Sequence, residues 1–199
     1  MPYLKATVYF PTSLDGFIAR PDGGIDWLPT GPDTKFEDYG YADLMKSIDA
    51  LVMGRKTYET VRGFGGEWPY GKKPVVVLSS RKVEIPKELS KTVTVMSGNI
   101  GAIRDYLATL DVQHIYVDGG VTIQRFLNAG AIDRLIITRI PVLIGEGIPL
   151  FGKLENGDVP LAHIGTRTYP SGLVQSEYAV ATWKKPATAP KRRSTKKQR

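Results

Sequence analysis

The 199-residue sequence contains no cysteine. Disulfides, thiolate metal sites and a cysteine nucleophile are excluded together, and the composition suits a reducing compartment. Histidine is nearly as scarce. The two copies, His114 and His163, lie far apart at no ligand-type spacing, which argues against a metal centre and against a Ser/His/Asp triad. No apolar run approaches the ~20 residues of a membrane-spanning helix. The opening Met-Pro-Tyr-Leu-Lys-Ala-Thr has no cationic lead into an apolar core, so a cytoplasmic protein without membrane contact is expected.

Acidic residues are absent from one place in particular. From Lys184 to Arg199 the chain carries Lys184, Lys185, Lys191, Arg192, Arg193, Lys196, Lys197 and Arg199 and no acid. The remaining 19 cations are met by 20 acids, so the net charge of +7 is a property of this stretch alone. With Pro186, Pro190 and no apolar periodicity, residues 184–199 read as a disordered tail behind a folded domain over 1–183. Such a tail suits screened, sequence-independent contact with nucleic acid, or simple solubilisation.

What is present is a set of apolar strands that end in phosphate-type chemistry. Ala50-Leu-Val-Met-Gly54 closes on glycine and hands over to Arg55, Lys56 and Thr57 at the start of a helix. Free backbone N–H groups and the helix dipole then point the same way as two full cations. An anion-binding corner and an ordinary turn with solvated cations are both open on this segment alone. Val75-Val-Val-Leu-Ser-Ser-Arg-Lys82 is a second such strand end. Ile115-Tyr-Val-Asp-Gly-Gly-Val-Thr-Ile-Gln124 is a third, with a glycine pair opening a helix. Three ends of one kind suggest a single extended nucleotide.

Elsewhere, Leu4 to Phe10 reads as a strand and the glycine-rich residues 13–29 as a loop of lid type. Phe36 to Ile48 has the spacing of a helix with one buried face. Asp38 lies near that face. It is either desolvated, with a raised pKa, or a first-turn acid favoured by the dipole. Ser97 is placed to cap a helix carrying Ile103 and Leu107, and another helix stops at Gly130. Leu135 to Ile144 is the longest β-like run, and a terminal hairpin turns over Pro170-Ser-Gly172. Strands alternating with helices, then strands alone, predict a mostly parallel sheet flanked by helices, with an antiparallel C-terminal edge.

In this order and spacing the segments resemble the dihydrofolate reductase family, over nearly the whole chain to about Tyr178. Met53-Gly-Arg-Lys-Thr-Tyr-Glu-Thr is similar to its Met-Gly-Arg-x-Thr-(Trp/Tyr)-Glu-Ser signature, Val76-Val-Leu-Ser-Ser to its central strand, and Val117-Asp-Gly-Gly-Val-Thr-Ile to its cofactor turn. The resemblance implies an α/β, three-layer dihydrofolate reductase-like fold and NADPH as cofactor. It implies Arg55, Ser79, Ser80 and Arg81 around the 2′-phosphate, Lys56, Thr57, Gly119, Gly120, Val121 and Thr122 along the pyrophosphate, Ser13, Ile18 and Ala19 facing the nicotinamide, and Gly54 and Leu78 as further cofactor-binding residues. It also implies Asp38 as the active-site acid, with Thr138 beside it.

The position of the cation that clamps the folate tail in that family falls on Lys73, which does not reproduce a bidentate Arg. Ser13-Leu-Asp-Gly-x-Ile-Ala19 and Pro141 to Phe151 resemble more closely the C-terminal reductase domain of bifunctional riboflavin-biosynthesis proteins, here without the zinc-binding deaminase half. The expected activity is reduction of a pterin-like or related heterocyclic small molecule by NADPH. The alternatives are reduction of a phosphorylated aminopyrimidine riboside, and a non-catalytic nucleotide-binding protein with a nucleic-acid-contacting tail. The resemblance further implies a homodimer, with the Leu135 to Ile144 run as a pairing edge.

Overall fold

The computed structural model describes residues 3–29 and 38–181. Ten strands and four α-helices follow in the order β1 (Lys5–Ser13), β2 (Phe17–Ala19), α1 (Tyr41–Ser47), β3 (Ala50–Gly54), α2 (Arg55–Gly63), β4 (Val75–Leu78), β5 (Val93–Met96), α3 (Ile100–Thr109), β6 (His114–Asp118), α4 (Gly120–Asn128), β7 (Arg134–Ile140), β8 (Ile148–Pro149), β9 (Leu161–Thr168) and β10 (Val174–Val180). The expected helix start at Phe36 and the basic tail at 184–199 lie outside the described residues.

Eight strands form one sheet in the order β5-β4-β3-β6-β1-β7-β10-β9. The pairs from β5 to β7 are parallel, and β10 joins β7 and β9 antiparallel. This is the mixed sheet expected from the sequence. The near-continuous apolar runs of β3, β4 and β6 follow from burial on both faces, since parallel strands connected by helices are covered on each side. Alternation along each strand sorts the core into two clusters. Val52, Val76, Ile115, Val117 and Leu135 pack with Ile103, Leu107, Ile123 and Phe126 of α3 and α4. Leu51, Met53, Val75, Val77 and Tyr116 pack with Leu44 and Tyr58 of α1 and α2. Three layers result.

Several local expectations shift. The α3 cap is Asn99, whose side chain accepts from Ala102 N at 2.9 Å, rather than Ser97; Gly98, at φ 136°, delays the helix start. The run from Leu135 stops as a strand at Ile140, before Pro141, which has no N–H to give. It cannot serve as a pairing edge, because β7 lies between β1 and β10. The edges of the sheet are β5 and β9.

Candidate active site

The C-terminal ends of the parallel strands open into a groove of about 1000 Å³. Strand register brings its corners together, with Gly54 opposite Leu78 and Met53 opposite Asp118. Ile18, Ala19, Gly54, Arg55, Lys56, Thr57, Leu78, Ser79, Ser80, Arg81, Gly119, Gly120, Val121 and Thr122 all line this one groove. Ser13, Asp38 and Thr138 are not among its lining residues. Ser13 is fully buried and supports the groove from behind, its Oγ accepting from Phe17 N at 3.0 Å at the start of β2.

Two helix N-termini border the groove, and neither carries a side-chain cap or an acid in its first turn. The N–H groups there are left for a ligand, whereas those of α3 are served by Asn99. The glycine pair keeps the corner open. Gly119 has φ 86°, and a Cβ there would collide with Thr57 Oγ1; a Cβ on Gly120 would come to 2.8 Å from Ile18 Cδ1. Arg55 gives one nitrogen, Nη1, to both oxygens of Glu59 at 2.7 and 2.9 Å, which leaves the other guanidinium nitrogens free of Glu59. Ser79 Oγ closes a turn by donating to Arg81 O at 2.8 Å and accepting from Arg81 N at 3.0 Å. The loop after β2 adds Pro21, Asp22, Gly23, Ile25 and Leu28 to the wall, folded over a two-bond Arg20–Asp26 pair at 2.7 and 2.8 Å.

The floor was not assigned from the sequence. Tyr70, Tyr116 and Asp118 line the groove and are buried. Burial pushes the Asp118 carboxyl up to about 6, outweighing the backbone N–H of Gly119 and the Tyr116 hydroxyl, which pull the other way. Tyr116 donates to Tyr9 O at 2.9 Å. Tyr9 and Tyr41, half-buried and in contact at 5.8 Å between centroids, are both raised to about 12 by the same desolvation. A usable signal was present: in Val117-Asp-Gly-Gly a carboxylate ends an otherwise apolar strand.

Asp38 is exposed, not desolvated. Its carboxylate accepts from Gly40 N at 2.9 Å and Ala42 N at 3.0 Å, and these two bonds hold its pKa below the usual carboxylate value. Neither reading open for this residue describes it: it is not desolvated, and it precedes the N-cap Gly40 of α1, whose first-turn acid is Asp43. Thr138 is buried and accepts from Gln175 Nε2 at 2.9 Å. Gln175 Nε2 also donates to Tyr39 O at 3.0 Å, which Tyr9 Oη reaches at 3.1 Å. Thr138 is thus tied to the backbone beside Asp38 through Gln175. Tyr39, at φ 51°, sits in the left-handed region that non-glycine residues rarely adopt, and these two donors hold its carbonyl there. Lys73 does not line the groove; its Nζ donates to Ile48 O at 2.7 Å, at the C-terminal end of α1.

Residues 4–175 match the model of the RibD C-terminal domain. The chain belongs to the RibD C-terminal domain family. It is 35% identical over 181 residues to the uncharacterised protein YwjB of Bacillus subtilis, covering 89% of this chain and 98% of that one. The crystal structure of a protein named for riboflavin biosynthesis from Shewanella sp. PV-4 superposes with a TM-score of 0.83 at 39% identity, over 89% of this chain and 99% of the other. A dihydrofolate reductase from Enterococcus faecalis, complexed with NADP(H), superposes at 0.58 with 20% identity over 88% and 94% of the two chains, a likeness of fold. The fold is dihydrofolate reductase-like, and the family indicates a reductase. No helix among the described residues is long and apolar enough to cross a membrane, and no cluster of His, Asp and Glu suited to a metal ion occurs among them.

Proposed function

We propose that this RibD C-terminal domain protein is an NADPH-dependent reductase of a pterin-like or related heterocyclic small molecule. The observation that carries the reading is the meeting of two uncapped helix N-termini, three cation- or glycine-bearing strand ends and a buried carboxyl on one groove. The donor set suits a phosphorylated dinucleotide. Arg55, Ser79, Ser80 and Arg81 hold its 2′-phosphate through guanidinium and hydroxyl donors. Lys56, Thr57 and the N–H groups of Gly120, Val121 and Thr122 hold the pyrophosphate, with Gly119 permitting the approach. Ile18 and Ala19 wall the nicotinamide, backed by Ser13. Bound there, the dinucleotide supplies hydride to a C=N or C=O carbon.

The carboxylates divide the remaining work. Asp38 does not line the groove; ionised and held by two backbone N–H groups before α1, it is assigned the anchoring of the protonated ring from outside the lining, with Thr138 tied to the adjoining backbone through Gln175. Asp118 holds a proton up to about pH 6 at the groove floor, where a heteroatom gaining electron density needs one. Steady-state oxidation of NADPH across a panel of heterocycles, in wild type, Asp38→Asn and Asp118→Asn, tests this. At least one substrate should turn over in wild type and slow ~100-fold in a carboxylate variant; NADPH binding with no turnover of any substrate would favour the non-catalytic reading.

The family match supports a second reading, reduction of a phosphorylated aminopyrimidine riboside. The protein is further proposed to be cytoplasmic and homodimeric, pairing through the outer edge of β9, where Leu161 and Ile164 are exposed. The tail at 184–199 is proposed to act separately from the site; its deletion should leave reductase activity unchanged while polyanion binding is lost.

A further inference from the structure

The core beneath the groove gathers Tyr9, Tyr41, Tyr58, Tyr70 and Tyr116. A buried phenol ordinarily gives its proton to a protein acceptor. Tyr9 donates to Tyr39 O at 3.1 Å, Tyr58 to Glu84 O at 3.4 Å and Tyr116 to Tyr9 O at 2.9 Å. The hydroxyls of Tyr41 and Tyr70 have no such acceptor among the described residues, and of these two only Tyr70 lines the groove. Tyr70 is 6% exposed and firmly seated. Its ring meets Trp68 edge-on, at 4.9 Å between centroids and 90° between planes, and Trp68 is braced in turn by Tyr58 at 5.7 Å. Gly71 N donates to Trp68 O at 3.2 Å and Lys73 N to Tyr70 O at 3.1 Å, which fixes the turn that carries the ring. Packing accounts for the ring, but not for a hydroxyl left uncommitted at a groove wall. The ionisable groups whose fields reach Tyr70 are Asp118, which lines the same groove, and Tyr41. Burial and the Asp118 charge hold the Tyr70 phenol well above its ordinary value, so it remains a neutral donor at working pH.

We infer that Tyr70 is a catalytic residue whose hydroxyl donates to the acceptor atom of the substrate, and that this atom is the oxygen of a ketone or aldehyde. The inference rests on the reductase reading and names the reacting group within it. A carbonyl oxygen whose carbon receives hydride becomes an alkoxide, a base strong enough to take a proton from a phenol. A ring imine nitrogen is instead protonated by a carboxyl and needs no phenol. In the step itself a C–H bond forms at the carbonyl carbon with hydride from the reduced nicotinamide, the π pair of C=O moves to oxygen, and that oxygen takes the Tyr70 proton. The carbonyl is reduced to an alcohol and the cofactor is oxidised. Asp118, the stronger acid of the two, returns a proton to the phenolate, and solvent in the groove reloads Asp118.

Isatin, a small neutral heterocyclic ketone, is the probe, with the full-length protein and two readouts. In steady-state NADPH oxidation, Tyr70→Phe should lower kcat about 100-fold while cofactor affinity and melting temperature hold, since the phenyl ring keeps the Trp68 contact. In the infrared spectrum of isatin bound to protein saturated with oxidised cofactor, the ketone stretch should lie lower in wild type than in Tyr70→Phe, because a hydrogen bond to the oxygen weakens C=O. A purely structural tyrosine would not move that band. Asp118→Asn should slow turnover and leave the shift in place, since it acts behind the phenol. Equal kcat in wild type and Tyr70→Phe, an unshifted ketone stretch, no binding or turnover of isatin by cofactor-loaded protein, or faster reduction of a dihydropterin, whose reducible bond is C=N, would each overturn the inference. Failure of NADP(H) itself to bind would instead sink the reductase reading, and the infrared comparison on cofactor-free protein would still test the Tyr70 contact.

Discussion

At one end of the groove, Arg55, Ser79 and Gly119 sit on strand mouths that carry uncapped backbone N–H groups and short polar side chains. At its floor, Tyr70, Tyr116 and Asp118 are buried, and their ionisation is governed by desolvation. The two regions handle charge in opposite ways. The first offers fixed donors to an anion that arrives already charged. The second raises the pKa of its groups by burial, so that Asp118 keeps a proton up to about pH 6. A reductase needs both within reach of each other, and the register of β3 with β6, Met53 opposite Asp118, supplies that closeness.

The largest effect that would break this comparison is expected at Gly119. Gly119→Ala forces a Cβ into Thr57 at a positive φ, which should cost about 2–4 kcal/mol in stability and abolish NADPH binding. Thermal unfolding and cofactor titration read the two losses separately. Retention of normal binding would show that the corner is not a close-approach site.

Asp118→Asn should lower turnover ~100-fold at unchanged NADPH affinity. It carries a second signature in stability. A carboxyl whose folded pKa is raised from 3.8 to about 6 binds more protons folded than unfolded between those values. Wild-type stability therefore falls as pH rises through that window and stays lower above it. The Asn variant should be free of this loss and more stable by about 1–3 kcal/mol at pH 8. Equal pH dependence in the two proteins would remove Asp118 from the account.

A smaller effect sharpens the Arg55 end of the groove. Arg55→Ala should weaken NADPH ~10–100-fold and leave NADH nearly unchanged, since only the former has a 2′-phosphate to lose. Smallest of all is a control at the opposite end of the sheet. His114 bonds Thr7 Oγ1 and Ser47 O, both at 2.8 Å, and burial depresses its pKa below 6.5. Its contribution is present above pH 6.5 and lost as pH falls toward the depressed value. His114→Gln should flatten that acid limb without touching cofactor affinity.

The meeting of Arg55, Ser79 and Gly119 on one groove was legible in the sequence because each strand end is local. A strand, a glycine and a helix start occupy consecutive residues, as in Met53-Gly-Arg-Lys-Thr57, and periodicity fixes each of them. The parallel order and the antiparallel hairpin followed from the same alternation of elements. The floor was less legible, since Tyr70 and Tyr116 meet only through the pairing of separate strands and loops. Asp38 illustrates the limit from the other side: spacing left it between a desolvated acid and a first-turn acid, and only the contacts to Gly40 and Ala42 show that it is neither. The pairing edge failed for a topological reason, because nothing in the Leu135 run records that β10 returns to cover β7.

The central claim is that one phosphorylated dinucleotide spans Arg55, Ser79 and Gly119. Parallel titrations of NADPH and NADH, followed by the melting temperature of the full-length protein, test it most directly. The account predicts a saturable rise with NADPH and at least ten-fold weaker binding of NADH. Equal responses to the two, or none to either, would contradict it.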